Sequence, residues 1–514
     1  MSEKFLYNRL KNKQTNFNVW MAFPGIYSFA LSSLGYMWLF KTIDEVEDVN
    51  VEMVCTDTKK TSLMIKDINL IGFSFSFDLD FLNIFKILQK YKIPFKAKDR
   101  NSSHPLVFGG GPVLSANPEP FCEFFDFIII GDGEQTNIKA IQVCKENKSL
   151  EKAKILEKLS EIEGIYVPSL KQKFVKKSHC ELSQCISTPI LSEKSFFKNT
   201  FIIEIARGCS NRCGFCLASY LNLPARFIEY EEIINTIDLG LENTDKIALL
   251  GALISAHPRF TEICEYISIK ASDKKIEMSV SSLRADSIAP NVVKTLVKCG
   301  QKNTTIAIEA GSERLRKVIN KNLSEEQILQ TAKTARQNGL KGLKIYAMIG
   351  LPTETKEDLI ETVNLAKKLK AENKGFDLTF SFNSFVPKPH TPFQWCKRDD
   401  TKTLEKKINY LKKEFHKLGI KARFSSPKWD YWQTLLSRGS RDLTDYLVRV
   451  YELGGNIGAF KSSYREFVKK KLLPDSDFYA LREYNSEEIL PWDFIQIPPG
   501  KDFLKKEYIR LLKN

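Results

Sequence analysis

Short apolar segments alternate with amphipathic helical segments along most of this chain, and this alternation restricts the fold more than any other feature. In the first third, four apolar segments have the length of buried strands and end in turn residues: 17–25, 68–77, 105–112 and 124–134. Buried strands separated by helices predict an α/β fold with a doubly wound, parallel, Rossmann-like sheet. In such a sheet, ligands bind beyond the carboxyl ends of the strands, where the sequences GGGP and GDGE lie.

A second alternation begins near residue 201. Its six predicted strands, each followed by a helical pattern or a loop, are 201–209, 246–253, 275–284, 303–312, 340–352 and 376–387. Six such units predict a partial (β/α)6 TIM-type barrel, whose chemistry belongs at the loops that follow the strands.

The pattern changes at three further points along the chain. Residues 171–198 lose periodicity and are predicted to be a linker, and the chain becomes helical and basic after the barrel. We therefore predict five segments: a tail at 1–16, a Rossmann-like domain at 17–170, the linker at 171–198, the barrel at 199–395 and a C-terminal helical cap at 396–514.

Charge and hydropathy limit the classes of partner. The chain has 77 Lys and Arg against 62 Asp and Glu, and residues 396–514 hold 25 basic and 17 acidic residues. This excess of basic residues would suit binding to a nucleic acid. We favour the alternative that it reflects a lysine-rich surface, because no basic patch interleaved with aromatic residues stands out. The polar N-terminus lacks the apolar stretch of a signal peptide, and no run of about 18 apolar residues predicts a membrane span. We therefore expect a cytoplasmic protein.

Three of the eleven cysteines lie within eight positions, in the sequence RGCSNRCGFC after the first predicted barrel strand. These are Cys209, Cys213 and Cys216. In a reducing compartment, clustered cysteines more often bind metal than form disulfides. A structural zinc site would need a fourth ligand from elsewhere, whereas three thiolates can hold a four-iron cluster and leave one iron open. The pattern alone leaves both kinds of metal site open.

The C-x3-C-x2-C spacing after the first strand of a six-fold βα alternation resembles the signature of the radical SAM superfamily. Phe215 matches the aromatic residue that is usual before the last cysteine. The resemblance implies a [4Fe-4S] cluster whose open iron binds S-adenosylmethionine (SAM). It also implies reductive cleavage of SAM to methionine and a 5′-deoxyadenosyl radical, with a flavodoxin or ferredoxin as the electron donor.

The resemblance extends to residues that would bind SAM. Glu309 matches a position that often contacts the ribose or amino end of SAM, Lys344 suits the SAM carboxylate, and Met348 lies in a sequence similar to the adenine-side motif. Gly251 stands where many members carry a GGE motif, which this chain matches only in part. Polar residues at alternate positions of the predicted strands, among them Ser281, predict a polar barrel interior.

A doubly wound domain before such a barrel resembles the cobalamin-binding arrangement of the superfamily's class B group. The cobalamin contacts that this resemblance implies are Gly109, Gly110, Gly111, Gly131 and Glu134. Many such domains carry a D-x-H-x-x-G motif whose histidine binds cobalt, but the corresponding loop here reads FPGIYSFALSSLG. Either cobalamin binds without a histidine ligand, which we favour, or the domain is a scaffold without the cofactor.

These observations predict an enzyme that cleaves SAM and, with cobalamin, transfers a methyl group to an unactivated carbon or modifies it in another way. One alternative is a cobalamin-free enzyme that modifies RNA or protein, as methylthiotransferases do. Cys55, Cys122 and Cys144 lack the pattern of the second cluster that such enzymes carry. A third alternative is a non-catalytic iron–sulfur or cobalamin carrier. The sequence assigns no substrate.

Overall fold

The computed structural model describes residues 3–9, 15–58 and 63–513. It has the predicted α/β architecture, with a doubly wound sheet, a partial barrel and additional C-terminal helices. Residues 1, 2, 10–14 and 514 of the predicted terminal segments lie outside the described residues. No helix in the described ranges is long and apolar enough to cross a membrane.

The N-terminal sheet follows the predicted parallel design. Its strands are β2 (Asn18–Ala22), β3 (Asn50–Val54), β4 (Leu70–Ser74), β5 (Leu106–Gly110), β6 (Phe127–Ile129) and β7 (Ile165–Tyr166), after a short first strand β1 (Lys4–Phe5). The order is β3-β2-β4-β5-β6-β7, and only β7 runs antiparallel. The helices around it are α1 (Tyr27–Ala30), α2 (Leu34–Asp44), α3 (Phe81–Lys90), α4 (Pro112–Ala116), α5 (Glu134–Glu146) and α6 (Lys152–Ser160). Sequence analysis missed β3, an edge strand with few fully buried residues.

The predicted linker contains three two-residue strands, β8 (Val175–Lys176), β9 (Ile186–Ser187) and β10 (Ile190–Leu191). Strand β10 pairs with β1, β9 pairs with the first barrel strand, and β8 pairs with a segment near the C-terminus. Strands this short leave no periodicity in the sequence. The segment therefore ties several parts of the fold together.

The barrel contains all six predicted parallel strands, one further parallel strand and one short antiparallel strand. The strands are β11 (Thr200–Arg207), the antiparallel β12 (Arg226–Phe227), β13 (Lys246–Gly251), β14 (Glu277–Val280), β15 (Asn303–Glu309), β16 (Gly342–Ile349), β17 (Asp377–Ser384) and β18 (Lys421–Phe424). A single bridge between Leu283 and Ile306 joins the two halves of the barrel. Strand β18 pairs in parallel with β17, so the sheet continues past the boundary predicted at residue 395.

Helices follow the barrel strands along the chain, and the longer ones cover the outer face of the barrel. They are α7 (Ala218–Leu221), α8 (Tyr230–Asn243), α9 (Phe260–Asp273), α10 (Pro290–Lys298), α11 (Glu313–Val318), α12 (Glu325–Gln337), α13 (Lys356–Glu372) and α14 (Thr401–Lys417). Ile306, Ile308 and Ile345 are fully buried beneath these helices. The alternate residues Thr305 and Lys344 are only partly buried, because they face the open interior. The predicted polar interior is thus present.

The C-terminal region is mostly helical and packs against the N-terminal sheet. Its elements are α15 (Pro427–Arg438), α16 (Thr444–Glu452), α17 (Ile457–Lys469), α18 (Ser476–Ala480), β19 (Ile495–Gln496) and α19 (Lys501–Leu512). Helices α15 to α17 share one hydrophobic core with the N-terminal sheet. In that core the ring of Phe460 lies 6.1 Å from the ring of Phe81, and the ring of Tyr451 lies 5.5 Å from that of Phe85. The two ends of the chain therefore fold together.

Candidate active site

The cysteine loop follows the carboxyl end of β11 and is fixed by backbone contacts. The Gly214 N–H donates to the Ile319 carbonyl at 3.0 Å, and the Phe393 N–H donates to the Gly214 carbonyl at 3.0 Å. The side-chain amide of Asn320 donates to the Arg212 carbonyl at 3.0 Å. A Cβ at position 214 would lie 2.8 Å from the Phe393 ring, so a larger residue here would displace this packed side chain.

The three cysteine thiols are free and lie in one loop. Cys213 is buried, whereas Cys209 and Cys216 are partly exposed. Burial raises the pKa of the Cys213 thiol to about 12, and the nearby Lys321 ammonium opposes this rise. Burial also raises the pKa of Cys216.

This donor set fits a multi-iron cluster. Among the described residues, no three His, Cys, Asp or Glu side chains converge closely enough to hold a single metal ion. A mononuclear zinc site needs that convergence, whereas a four-iron cluster binds each thiolate to a different iron. Three thiolates with no fourth protein ligand beside them in the described part of the chain suit a cluster with one open iron.

A buried ion pair lies beside the thiols. The Lys321 ammonium donates to the Glu309 carboxylate at 3.2 Å, and both side chains are nearly buried. Burial lowers the pKa of Lys321, but Glu309 and Cys213 outweigh this effect and raise it. Glu309 has a φ of 63° where the register of β15 shifts, a conformation uncommon for residues other than glycine. Sequence analysis found Glu309 but missed Lys321, which lies in a loop without a recognisable motif.

Most of the other residues predicted to bind SAM lie around the same barrel interior. The Ser281 hydroxyl donates to the Gly251 carbonyl at 3.3 Å, and the Lys344 ammonium donates to the Tyr346 hydroxyl at 3.2 Å. Two predicted residues pack against one apolar cluster that also contains Phe393: Phe215 and Met348. The fold therefore brings Ser281 to Gly251 and packs Met348 of β16 in one cluster with Phe215 of the cysteine loop.

A cleft of about 340 Å³ opens at the carboxyl ends of β2, β4, β5 and β6. Four of the five predicted cobalamin contacts line it: Gly110, Gly111, Gly131 and Glu134. Gly109 does not, because a side chain there would point into the core on the opposite face, 2.6 Å from Leu114. Hydroxyl groups of Ser33, Ser74 and Ser76 also line the cleft, and no histidine of the described residues does.

Arg207 connects this cleft to the cysteine loop. It lines the cleft, and it precedes Cys209 by two positions. Its guanidinium lies 2.7 Å from Glu134, 2.7 Å from Glu204 and 3.2 Å from Asp132. Burial raises the pKa of Asp132, but Arg207 and Arg226 outweigh this effect and lower it. Sequence analysis missed this network because Asp132 and Arg207 are 75 positions apart.

Comparisons with known proteins identify the family. A model of "Radical SAM proteins, N-terminal" matches residues 36–168, and a model of the "Radical SAM superfamily" matches residues 203–366. An uncharacterized protein of Methanocaldococcus jannaschii is 30% identical over 435 residues, which cover 84% of this chain and 90% of that protein. The chain belongs to the radical SAM superfamily. It is therefore an enzyme of this superfamily, as its sequence predicts.

Two further comparisons are with the sequence of an enzyme and with a solved structure. The tRNA-2-methylthio-N(6)-dimethylallyladenosine synthase of Clostridioides difficile is 26% identical over 203 residues, which span 37% of this chain and 41% of that enzyme. The solved structure of the cobalamin-dependent S-adenosylmethionine radical enzyme OxsB with aqua-cobalamin bound superposes with a TM-score of 0.56 at 15% identity. That superposition covers 97% of this chain and 81% of OxsB, so the two share a fold over nearly the whole length.

Proposed function

We propose that this radical SAM enzyme cleaves SAM reductively at a [4Fe-4S] cluster held by Cys209, Cys213 and Cys216. The observation that carries the proposal is the position of three free thiols at the carboxyl end of β11, beside the Glu309–Lys321 pair and the polar barrel interior. A cluster held there would pass one electron from an external donor to SAM, which would split into methionine and a 5′-deoxyadenosyl radical. We propose a flavodoxin or ferredoxin as the electron donor.

The side chains around the interior suit the charged ends of SAM. The Glu309 carboxylate is proposed to accept hydrogen bonds from the SAM amino group, and the hydrogen bond from Lys321 holds this carboxylate in position. Lys344 is proposed to pair with the SAM carboxylate, while Gly251 and Ser281 line the methionine side. Apolar packing around Phe215 and Met348 shields the adenine side from water.

The N-terminal cleft is proposed to hold cobalamin. The cleft lies at the carboxyl ends of parallel strands, where such sheets bind ligands. Gly110 has no side chain and so leaves space for a ligand at the base of the cleft. Bound cobalamin would carry the methyl group for transfer to an unactivated carbon. Arg207 lines this cleft close to the cysteine loop, so the two cofactor sites adjoin.

The experiment is anaerobic reconstitution with iron, sulfide and cobalamin, followed by incubation with SAM and dithionite and measurement of 5′-deoxyadenosine by mass spectrometry. We expect the wild-type chain to form 5′-deoxyadenosine and Cys213→Ser to form none. Cys180→Ser is the matched control, because Cys180 is a partly exposed free thiol outside the loop. Equal product from Cys213→Ser and Cys180→Ser would refute the proposal. Cobalamin content near one per chain separates the cobalamin-dependent enzyme from a cobalamin-free RNA or protein modifier.

A further inference from the structure

A small pocket, which we call the junction pocket, lies between the N-terminal cleft and the cysteine loop. Its volume is about 190 Å³. Ser76 and Pro112 line both this pocket and the cleft at the carboxyl ends of the N-terminal strands. Leu217, which directly follows Cys216 in the chain, also lines the pocket. The junction pocket therefore adjoins both proposed cofactor sites.

An ion pair forms the polar wall of the junction pocket. The Lys388 ammonium, from the loop after β17, donates to the Asp78 carboxylate at 2.9 Å and to the Ser437 hydroxyl at 2.7 Å. Asp78 also accepts hydrogen bonds from Gln433 at 3.1 Å and from Ser437 at 2.8 Å, both on α15. Burial raises the pKa of Asp78, but the Lys388 ammonium and these hydrogen bonds outweigh this effect and lower it. Asp78 is therefore a carboxylate at neutral pH and fixes the position of the ammonium.

This wall offers a hydrogen-bond donor to a ligand. An ammonium has three N–H groups, and the contacts of Lys388 with described residues use two of them. The Lys388 side chain is 20% exposed, whereas that of Asp78 is 7% exposed and enclosed by its partners. Lys388 is the sole cation among the described residues that line the pocket, and Asp78 neutralises it. An uncharged acceptor oxygen therefore suits the pocket better than an anion, which would leave a net negative charge in a largely buried place.

Apolar side chains form the rest of the junction pocket. The Phe77 side chain lines it and is 44% exposed, and Leu217 is partly exposed. The other apolar residues of the lining are Pro112, Val113, Ala116 and Pro389. Covering an exposed apolar ring is favourable, so an apolar part of a ligand would be stabilised against Phe77. The pocket is smaller than the roughly 300–1,000 Å³ of sites that enclose drug-sized ligands, so it suits a smaller molecule.

We propose that the junction pocket binds the substrate, and that this substrate is a small uncharged molecule with an apolar part and a carbonyl or hydroxyl oxygen. Lys388 donates a hydrogen bond to this oxygen, and Phe77 packs against the apolar part. The assignment of the bound molecule as the substrate rests on the proposed function, because a molecule on which both cofactors act must lie near both. A nucleic acid strand does not suit the pocket, since its phosphates would meet no unpaired cation there.

The test measures binding of three probes of similar size to the full chain by saturation-transfer NMR, before reconstitution and without SAM. Acetophenone carries a carbonyl oxygen, benzoate carries a carboxylate and α-methylstyrene carries no oxygen. The first variant is Phe77→Ala, and its matched control is Phe174→Ala, which removes an exposed ring outside the pocket. The second variant is Lys388→Met with Asp78→Asn, which removes the donor without leaving a buried charge unpaired. The melting temperature of each variant checks that it folds.

We expect wild type to bind acetophenone about fivefold or more tightly than either other probe, because only its oxygen is both uncharged and an acceptor. Phe77→Ala should bind acetophenone about fivefold or more weakly than Phe174→Ala does. This loss would assign binding to the pocket, because Phe77 does not line the cleft. The second variant should bind acetophenone and α-methylstyrene equally, which a general loss of stability would not produce. Tighter binding of benzoate than of acetophenone, or equal binding of acetophenone by Phe77→Ala and Phe174→Ala, would overturn the proposal.

Formation of 5′-deoxyadenosine by the reconstituted wild type keeps this test apart from the proposed function. If wild type binds acetophenone in the pocket but forms no 5′-deoxyadenosine, the junction pocket stands as a binding site and the proposed function fails. If wild type forms 5′-deoxyadenosine but binds no acetophenone, the proposed function stands and the junction pocket is not the site of such a substrate.

Discussion

Arg207 offers the sharpest test of how the two cofactor sites are joined. Its side chain is 13% exposed and lies within ion-pair distance of three largely buried carboxylates. Arg207→Gln would remove the ion pairs of Glu134 and Glu204 with this guanidinium and leave Asp132 paired with Arg226 at 2.8 Å. Breaking a buried charge network by removing one partner costs about 3 kcal/mol or more. For a cooperative unit of 150–250 residues, this cost lowers the melting temperature by roughly 6–12 °C.

The assay is thermal unfolding at pH 7 and at pH 3. The folded pKa of Asp132 is depressed, so its stabilising contribution is present above the unfolded pKa of about 3.9 and is lost as the pH falls through the folded value. The difference between wild type and Arg207→Gln should therefore be largest at pH 7 and shrink at pH 3. Arg259→Gln is the control, because Arg259 pairs with exposed Glu231 and Glu262 and should barely change the melting temperature. Equal melting temperatures for Arg207→Gln and Arg259→Gln at pH 7 would refute the reasoning.

Two further substitutions test the proposed cofactor sites. In Gly110→Leu, the new Cβ has ordinary contacts at 3.6 Å or more, but the side chain fills the cleft. We expect the cobalamin content, measured by absorbance after reconstitution, to fall at least fivefold while the melting temperature stays unchanged. Full retention of cobalamin would contradict the assignment of this cleft. Glu309→Gln keeps the side-chain size but removes its charge, so SAM affinity measured by isothermal titration of the reconstituted protein should fall by about tenfold, with unchanged iron content. Unchanged SAM affinity would exclude this role for Glu309.

The sequence predicted those parts of the fold that depend on local pattern. Buried parallel strands leave continuous apolar runs, so both the N-terminal sheet and the six barrel strands could be recognised. The two-residue strands of 171–198 and the edge strand β3 leave no such pattern. The packing of α15 to α17 against the N-terminal sheet was also missed, because an amphipathic helix shows which face it buries but not what it packs against.

In the candidate site too, the sequence revealed the residues that lie within one local motif and missed those that depend on distant contacts. Cys209, Cys213 and Cys216 were recognisable because their spacing lies within one loop. Lys321 and Arg207 were missed because their roles arise only when distant segments meet, as in the contacts of Arg207 with Asp132. Gly109 was predicted as a cofactor contact along with its neighbours, but the alternation of a strand turns it to the opposite face from Gly110.

The most direct test of the central proposal is the electron paramagnetic resonance spectrum of the reconstituted, reduced protein with and without SAM. Three thiolates and one open iron predict a [4Fe-4S]⁺ signal whose g values change when SAM is added. The same change should be absent in Cys213→Ser and retained in Cys180→Ser. A cluster signal that does not respond to SAM, or that persists unchanged in Cys213→Ser, would contradict the assignment of the cysteine loop.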